Sequence, residues 1–304
     1  MMIVGVAINP DSGKGRGRTY RDEIAHLLAA YPVEVVWFNS DDPAVLKGDM
    51  FGAAETGMID ALIVAGGDGM IHLAVNALGD SQIPLGIVAT GSGNDIAREF
   101  SLPTHRPDEG LHQVMTALFT RKFRQIDVIE IEGGGKTERA LAMANIGLDA
   151  DTNLRTNQLH WPKGNLRYLR GLISALWHYR PYGVRITIDG VQASGSMVLL
   201  LAANTRFAGG GFNLAPHADP SDHLLSVVVL RGLRAVEFPG LLGKLATARH
   251  VLDPRVHEIV AREVYVEPDP TAGSPLPALM ADGEFICHAP ARIRLLPSRI
   301  RMAL

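Results

Sequence analysis

The sequence predicts two domains, an α/β domain built on a doubly wound parallel sheet and then a mainly antiparallel β-sandwich. Over the first third of the chain, short apolar runs alternate with stretches whose apolar residues recur every three or four positions, as in strand–helix units. From about Phe123 onward, short β-branched runs are separated by Gly and Asn turns, as in antiparallel sheets. We therefore place the first domain at 1–123 and the second at 124–291, and expect residues from about 292–304 to return to the first domain.

The elements of the first domain follow from local patterns. Apolar and β-branched runs predict strands at 3–8, 33–38, 60–65 and 84–88. The spacing of apolar residues between Tyr20 and Tyr31 predicts a helix after the first strand, and further helices are predicted at 71–78 and after Asp95. In such sheets the loops that follow the strands form the ligand site, so we expect these loops to converge.

The second domain is predicted from shorter runs. Its strands are expected at 126–132, 139–145, 184–189, 196–202 and 226–230, with a helical insertion at 165–179. Residues 268–277 are rich in Pro and Gly and predict a surface loop, whereas 291–304 has strand character.

Composition narrows the class of protein. The chain has 304 residues, 47% of them hydrophobic, and a formal net charge of −3, so bulk charge does not favour nucleic acid and we expect no nucleic-acid partner. The only cysteine is Cys287, which excludes a disulfide within the chain and is interpreted as a small buried apolar residue. The longest apolar runs, 197–203 and 224–230, are far shorter than the roughly 18 residues that span a bilayer. We therefore expect a cytoplasmic protein.

A glycine-rich turn follows the first predicted strand, at 9–15. Such a turn at a helix N-terminus offers backbone N–H groups to a phosphate. It is not a Walker A loop, because Ile8 stands where the first glycine would be and Gly15 follows Lys14. By itself the segment is explained equally well as a plain tight turn.

Two sharper motifs follow the third and fourth predicted strands. The first is Gly-Gly-Asp-Gly at 66–69 and the second is Gly-Ser-Gly-Asn-Asp at 91–95. Adjacent glycines allow a phosphate chain to lie against the backbone, and an acid among them can hold a metal ion. Two such loops at successive strand ends favour nucleotide binding over ordinary turn chemistry.

Three later segments are ordinary when taken singly. Asp282-Gly283-Glu284 is typical of a hairpin turn, because Asp-Gly is a common turn pair. The runs at 209–212, Gly-Gly-Gly-Phe, and at 216–222 would likewise pass as loops.

Together, however, these motifs resemble the diacylglycerol kinase catalytic family. Asn-Pro-x-Ser-Gly, Gly-Gly-Asp-Gly, Gly-Ser-Gly-Asn-Asp, Gly-Gly-Gly-Phe and Asp-Gly-Glu occur in the order and approximate spacing of that family, from Asn9 to beyond Glu284. The family includes bacterial lipid kinases and is similar to sphingosine and ceramide kinases. The resemblance implies an ATP- and Mg²⁺-dependent phosphoryl transfer to a lipid hydroxyl, most simply from ATP to diacylglycerol.

The resemblance also implies roles for particular residues. Asp282 would be the general base that takes the proton of the lipid hydroxyl, and Glu284 would assist it or hold magnesium. Asp222 would be the side-chain ligand of a second, structural Mg²⁺, with backbone carbonyls near Asp219 and Leu224. The residues expected around ATP and its metal are Asn9, Pro10, Asp11, Ser12, Gly13, Gly66, Gly67, Asp68, Gly69, Ser92, Asn94 and Asp95.

The chain departs from the family pattern at two places. After Gly-Gly-Asp-Gly, the family usually has Thr and then an Asn-Glu pair, where this chain has Met70, His72 and Leu73. At the expected second metal loop, His223 replaces a common Gly and Ser226 replaces a common Asp. Met70 and Leu73 keep open a nucleotide-binding regulatory protein that has lost catalysis, although the retention of Asp282 and Glu284 argues against it. We interpret His72 as a surface or packed histidine.

A segment without acidic residues, which we call the acid-free segment, suggests which part of the chain could contact a lipid bilayer. From Thr152 to Ile188 there is no Asp or Glu, although the segment holds six Lys or Arg and five Trp or Tyr residues. Such a composition suits the edge of an anionic bilayer, and the alternative is a solvated helix face with ordinary core aromatics. We expect a membrane lipid as substrate and a peripheral position at the inner membrane surface. A sphingoid base or phosphatidylglycerol stays open as acceptor, and the oligomeric state stays open between monomer and homodimer.

Overall fold

The computed structural model describes residues 1–8, 17–148 and 180–304. Contacts divide the chain into two units. The N-terminal unit comprises Met1–Val128, Gly209–Gly211 and Pro297–Leu304, and the C-terminal unit comprises Ile129–Ala208 and Phe212–Leu296. Within the described ranges, no helix is both long enough and apolar enough to cross a membrane.

The N-terminal unit is built on a parallel sheet, as predicted. Its first four strands are β1 (Met2–Ile8), β2 (Val33–Phe38), β3 (Ala61–Gly66) and β4 (Leu85–Ala89), and they lie in the order β2-β1-β3-β4. The strand order reverses at β1, which pairs with both β2 and β3. This reversal is the hallmark of a doubly wound sheet, and ligands bind at the carboxyl ends of strands beside it.

The helices of this unit connect the strands. They are α1 (Gly17–Leu28), α2 (Pro43–Glu55), α3 (Asp68–Leu78), α4 (Asp95–Glu99) and α5 (Pro107–Thr120). Helices α2 and α5 were not predicted from the sequence. For α2 a signal was present, because the Asp42 carboxylate accepts the Ala44 N–H at 2.8 Å and Pro43 occupies the first helical position.

The C-terminal unit is a sandwich of two mainly antiparallel sheets, which confirms the second predicted fold class. Its strands are β5 (Phe123–Gly133), β6 (Lys136–Ala140), β7 (Met143–Gly147), β8 (Tyr182–Ile188), β9 (Val191–Met197), β10 (Leu199–Ala203), β11 (Phe207–Ala208), β12 (Phe212–Asn213), β13 (Leu225–Leu230), β14 (Val256–Ala261), β15 (Glu263–Pro268), β16 (Leu279–Ala281), β17 (Glu284–Cys287) and β18 (Ala291–Ala303). One sheet has the order β14-β13-β10-β7-β16-β17, and the other contains β18, β15, β8 and β9, with β5 pairing β18 and β6. Helix α6 (Phe238–Leu245) lies between β13 and β14 in the chain. Side chains from both sheets, such as Ile146 and Val264, form one buried core.

Two predicted strands were wrong in extent, since 139–145 and 196–202 each contain two strands. The first is interrupted at Leu141 and Ala142, whose N–H groups donate to the carboxylate of Asp282 instead of to a neighbouring strand. The second is interrupted at Val198, where the chain passes from the sheet that contains β9 to the sheet that contains β10. Both breaks depend on contacts distant in sequence.

The last strand, β18, takes part in both units. Its first residues pair antiparallel with β15, and Met302 pairs parallel with Leu85 of β4. The predicted boundary near Arg124 lies at the beginning of β5. The predicted loop at 268–277 is confirmed between β15 and β16.

The acid-free segment is described only from Arg180 onward. The predicted helical insertion at 165–179, like residues 152–164, lies outside the described residues. In the described part, Tyr182 is a core residue and the Arg185 guanidinium lies 4.0 Å from the Asp269 carboxylate. This part of the segment is an ordinary strand of the sandwich.

Candidate functional site

The loops after β3 and β4 meet backbone to backbone at Gly67 and Gly91. A β-carbon on Gly91 would lie 2.3 Å from the Gly67 Cα, and one on Gly67 would lie 3.2 Å from the Gly91 Cα. The first distance is shorter than any real contact, so Gly91 tolerates no side chain while Gly67 keeps its position. The two glycine motifs predicted to act together are therefore in direct contact.

Asp68 links the same two loops through its carboxylate. Its Oδ2 accepts the Asp95 N–H at 3.2 Å and its Oδ1 accepts the Ile96 N–H at 3.0 Å. These are N–H groups at the start of α4, which have no partner within their own helix. Asp68 thus supplies the cap that the residue before α4, Asn94, does not make with its own side chain.

Asn94 lies beneath the crossing of the loops and is 1% exposed. Its backbone is left-handed, with φ of 55°, and its Nδ2 donates to the Gly91 carbonyl at 2.8 Å. Its Oδ1 finds no hydrogen-bond partner among the residues that the structure describes. An unpaired buried amide oxygen costs free energy, because the group has lost its hydrogen bonds to water without replacing them.

Asp95 connects a third glycine segment to these loops. Its Oδ1 pairs with the Arg98 guanidinium at 2.5 Å, and its Oδ2 accepts the Gly210 N–H at 2.8 Å. A β-carbon on Gly211 would lie 3.2 Å from the Arg98 guanidinium carbon. The segment Gly209–Gly211 consequently belongs to the N-terminal unit by its contacts, although it lies between strands of the other unit in sequence.

The departures from the family pattern are packed inside this unit. Met70 is 6% exposed and covers Gly66, where a β-carbon would lie 2.5 Å from the Met70 Cγ. His72 is 8% exposed, with its Nε2 3.3 Å from the Asn76 Nδ2. The interpretation of His72 as a packed histidine is confirmed. Ser92 and Gly69 are exposed at the loop surface, whereas Asn9, Pro10, Asp11, Ser12 and Gly13 lie outside the described residues.

In the C-terminal unit, Asp282-Gly283 forms the two-residue turn between β16 and β17. Both residues have positive φ, 49° and 88°, as a type I′ hairpin turn requires. The expectation of a hairpin turn at this motif is confirmed. The turn also places the Asp282 side chain against a distant part of the chain.

The Asp282 carboxylate is held by three backbone N–H groups of the segment between β6 and β7. Oδ2 accepts from Leu141 at 2.8 Å, and Oδ1 accepts from Ala142 at 2.9 Å and Met143 at 3.1 Å. A carboxylate has about four lone-pair positions, so most of its capacity is used. The neighbouring Glu284 is exposed, and its side chain makes no interaction within the described part of the chain.

Asn204 completes this arrangement and was not recognised from the sequence. Its Nδ2 donates to the Leu141 carbonyl at 2.9 Å, and its backbone N–H donates to the Ala142 carbonyl at 2.8 Å. The same short segment thus gives its N–H groups to Asp282 and its carbonyls to Asn204. The available signal was an Asn directly after the apolar run of β10.

The loop that was predicted to hold a second metal ion contains hydrogen bonds between its own residues. The Asp222 Oδ1 accepts the Leu224 N–H at 2.9 Å, and the Asp219 Oδ1 accepts the Ser221 N–H at 3.0 Å. His223 adopts φ of 66°, the left-handed conformation for which glycine is the usual residue. The Ser226 hydroxyl donates to Glu258 at 2.5 Å. The metal-ligand roles of Asp222, Asp219 and Leu224 stay predictions, and the described residues contain no group of three or more His, Cys, Asp or Glu arranged to hold a metal.

Comparison with known proteins decides the family. Residues 4–131 match the diacylglycerol kinase catalytic domain, and residues 142–304 match the YegS C-terminal NAD kinase beta sandwich-like domain. A diacylglycerol kinase from Mycobacterium tuberculosis (strain CDC 1551 / Oshkosh) is 32% identical over 299 residues, covering 97% of this chain and 92% of its own. The chain belongs to the diacylglycerol kinase family of lipid kinases.

Further relatives agree with this placement. A Stenotrophomonas maltophilia (strain K279a) protein named "Probable lipid kinase YegS-like" is 26% identical, covering 96% of this chain and 94% of its own. The crystal structure of a diacylglycerol kinase from Bacillus anthracis str. Sterne has a TM-score of 0.73 at 22% identity, covering 99% of this chain and 96% of its own. The family resemblance predicted from the motifs is confirmed, as is the fold class.

Proposed function

We propose that this lipid kinase transfers the γ-phosphoryl group of ATP to the hydroxyl of diacylglycerol, with Mg²⁺, and so forms phosphatidic acid. The observation that carries the proposal is the contact between Gly67 and Gly91, where two backbones meet without side chains. This contact brings the two glycine loops together at the start of a helix, where N–H groups and the helix dipole favour the negative charge of a phosphate chain.

Helix α3 supplies that helix start. It begins at Asp68, directly after Gly67, and runs for 11 residues. The unpaired Asn94 Oδ1 under the same crossing is an acceptor to which a hydroxyl or amino group of a nucleotide could donate. We assign nucleotide binding to the three linked glycine segments.

The residues present fit a magnesium ion that arrives with the nucleotide. Mg²⁺ in kinases is held mainly by phosphate oxygens and by one or two carboxylates. Asp68 fits this role because its carboxylate lies between the two glycine loops, where it accepts the N–H groups at the start of α4. Asp95 fits it less well, since a guanidinium and an N–H group already take both of its oxygens. When bound, the ion would neutralise charge on the phosphoryl oxygens.

The Asp-Gly-Glu hairpin supplies carboxylates for the acceptor hydroxyl. In the reaction, the hydroxyl oxygen bonds to the γ-phosphorus, the bond between the β,γ-bridging oxygen and the γ-phosphorus breaks, and the hydroxyl proton passes to a carboxylate. The three N–H bonds hold the carboxylate of the base candidate Asp282 in one orientation. Glu284 is the exposed carboxylate beside it.

The choice of acceptor rests on the relatives. The M. tuberculosis relative at 32% identity carries the name diacylglycerol kinase, and this supports diacylglycerol over a sphingoid base or phosphatidylglycerol. A lipid acceptor would place the protein at the inner surface of the cytoplasmic membrane.

A lipid-panel assay tests the proposal. The full chain is incubated with labelled ATP, Mg²⁺ and mixed micelles that contain diacylglycerol, sphingosine or phosphatidylglycerol, and lipid products are separated. We expect labelled phosphatidic acid as the dominant product. Transfer to another lipid would overturn the choice of acceptor. ATP binding by calorimetry without transfer to any lipid would instead indicate a nucleotide-binding protein that has lost catalysis.

A further inference from the structure

The connection between β13 and β14, residues 231–255, is a helical excursion that leaves and re-enters the sheet at one point. The Arg231 N–H donates to the Arg255 carbonyl at 3.0 Å where the two ends meet. Between them lie a short 3₁₀ turn at 235–237, helix α6 and a second 3₁₀ turn at 250–252. We call residues 231–255 the helical connection.

Most apolar side chains of the helical connection point inward. Leu233, Phe238 and Leu241 are buried in a cluster with Val228 and Leu230 of β13. These side chains cover one face of the sheet that contains β13. An amphipathic helix suits this position, because its apolar face packs on the sheet while its polar face meets solvent.

Two apolar side chains of the helical connection are instead exposed to solvent. Val236 is 82% exposed and Leu252 is 78% exposed. They are neighbours of a chain of ion pairs, in which the Glu237 carboxylate lies 3.3 Å from the Arg255 guanidinium and that guanidinium lies 2.8 Å from the Asp253 carboxylate. The two 3₁₀ turns are thus held side by side, and each presents one large aliphatic side chain to solvent.

The surroundings of these side chains are strongly basic. The helical connection has five Lys or Arg residues and two acidic residues, a formal charge of +3 in a chain whose net charge is −3. Both acids are engaged internally, Asp253 with Lys244 at 2.8 Å and Glu237 with Arg234 and Arg255. Arg231 and Arg249 have no acidic partner within the described residues.

The buried carboxylate of the ion-pair chain stays charged. Asp253 is 2% exposed, and hydrogen bonds from Arg255 and then Lys244 hold the pKa of its carboxyl well below its usual range. The carboxylate therefore stays ionised, beside both of its cationic partners, at any physiological pH.

We propose that the helical connection is a docking surface for an anionic lipid bilayer, with Val236 and Leu252 entering the interface and Arg231 and Arg249 facing lipid phosphates. The proposal rests on the proposed function, because a kinase acting on a bilayer lipid must meet its substrate at that interface. Protruding aliphatic side chains beside unpaired cations are the combination that interfacial binding requires. An acidic protein surface would match the charge, but it would not by itself call for two protruding aliphatic side chains.

The test measures vesicle binding of the full chain without nucleotide. Flotation is compared on vesicles of equimolar phosphatidylglycerol and phosphatidylcholine and on phosphatidylcholine alone. We expect the double variant Val236→Ser with Leu252→Ser to lower partitioning onto vesicles at least about tenfold, since each CH₂ group buried in the bilayer raises partitioning roughly fourfold. The double variant Arg231→Gln with Arg249→Gln should lower partitioning onto the anionic vesicles about fivefold per residue at low salt, and less at high salt.

Matched controls come from the same unit. Val191 is 74% exposed at the beginning of β9, and Lys136 is exposed at the beginning of β6. Val191→Ser and Lys136→Gln remove an equally exposed aliphatic side chain and a positive charge elsewhere, so they should leave partitioning unchanged. Thermal melts confirm that every variant is folded.

The outcomes separate docking from kinase activity. Unchanged flotation of both double variants, or losses as large in the controls, would overturn the docking surface. A change in oligomeric state on size exclusion, without loss of flotation, would likewise overturn it in favour of a contact between copies. If the wild type binds vesicles through these residues and yet phosphorylates no lipid, the docking surface stands and the proposed function fails.

Discussion

The glycine loops of the N-terminal unit and the Asp-Gly-Glu hairpin of the C-terminal unit are built on opposite principles. In the loops, the backbones at Gly67 and Gly91 touch because side chains are absent. In the hairpin, one side chain, Asp282, gathers three backbone N–H groups. The first arrangement is therefore sensitive to any added atom, and the second is sensitive to the loss of an acceptor.

The largest effect is expected from Asp282→Asn. With the amide oxygen facing Ala142 and Met143, the amide NH₂ replaces the oxygen that accepts the Leu141 N–H, so a buried donor loses its partner at a cost of about 1–3 kcal/mol of unfolding free energy. The proposed base is lost as well, which should lower kcat by a factor of about 10² or more while ATP still binds. Thermal melts and steady-state kinetics measure the two effects.

Glu284→Gln is the matched variant for this prediction. It removes a carboxylate that makes no interaction in the described chain, so stability should not change. A strong loss of kcat in Glu284→Gln, with Asp282→Asn losing stability but little kcat, would transfer the base role to Glu284 and leave Asp282 as a positioning residue.

The next effect concerns the two glycines. Gly91→Ala should weaken ATP binding more than Gly67→Ala, because its β-carbon would lie 2.3 Å from backbone rather than 3.2 Å. Forcing the loops apart should cost about 1–3 kcal/mol, or roughly five- to a hundredfold in ATP affinity if the phosphates lie there. Calorimetry on folded variants measures the ATP affinity. Equal affinities for the two variants would contradict the expectation that Gly91→Ala has the larger effect.

A smaller effect is expected from Asp95→Ala, which removes the acceptor of the Gly210 N–H. The free energy of opening of the Gly209–Gly211 segment should fall by about 1 kcal/mol, so that its amide hydrogens exchange roughly fivefold faster. Hydrogen exchange at Gly210 measures the change. Unaltered protection would show that the segment is held by other contacts.

The smallest effect is a dependence on pH in the C-terminal unit. Hydrogen bonds from the Ser194 hydroxyl, and then from Thr271, lower the pKa of Asp269 from 3.8 to about 2. A lowered folded-state pKa adds stability above the unfolded value, and that stability is lost as the pH falls through about 2. The difference in Tm between wild type and Asp269→Asn should thus be full at pH 7 and shrink below pH 4. A constant difference across this range would contradict the assignment.

Local patterns were sufficient for the strands of the N-terminal unit and for its glycine motifs. Val33–Phe38 was predicted with its observed bounds, because consecutive β-branched and aromatic residues are a local signal for a strand. The break at Leu141 could not be predicted in this way, since its cause is a carboxylate 141 positions away. The same limit applies to Asp68 and Asp95, whose types suggested metal chemistry but whose contacts tie loops together.

The last strand has a consequence for how the chain is made. Met302 pairs with Leu85, so the parallel sheet that begins the chain receives a strand from residues that leave the ribosome much later. Until then β4 presents an open edge, which can attract other strands. We expect the N-terminal unit to mature only after the sandwich has been synthesised, which makes folding slow and dependent on contacts distant in sequence.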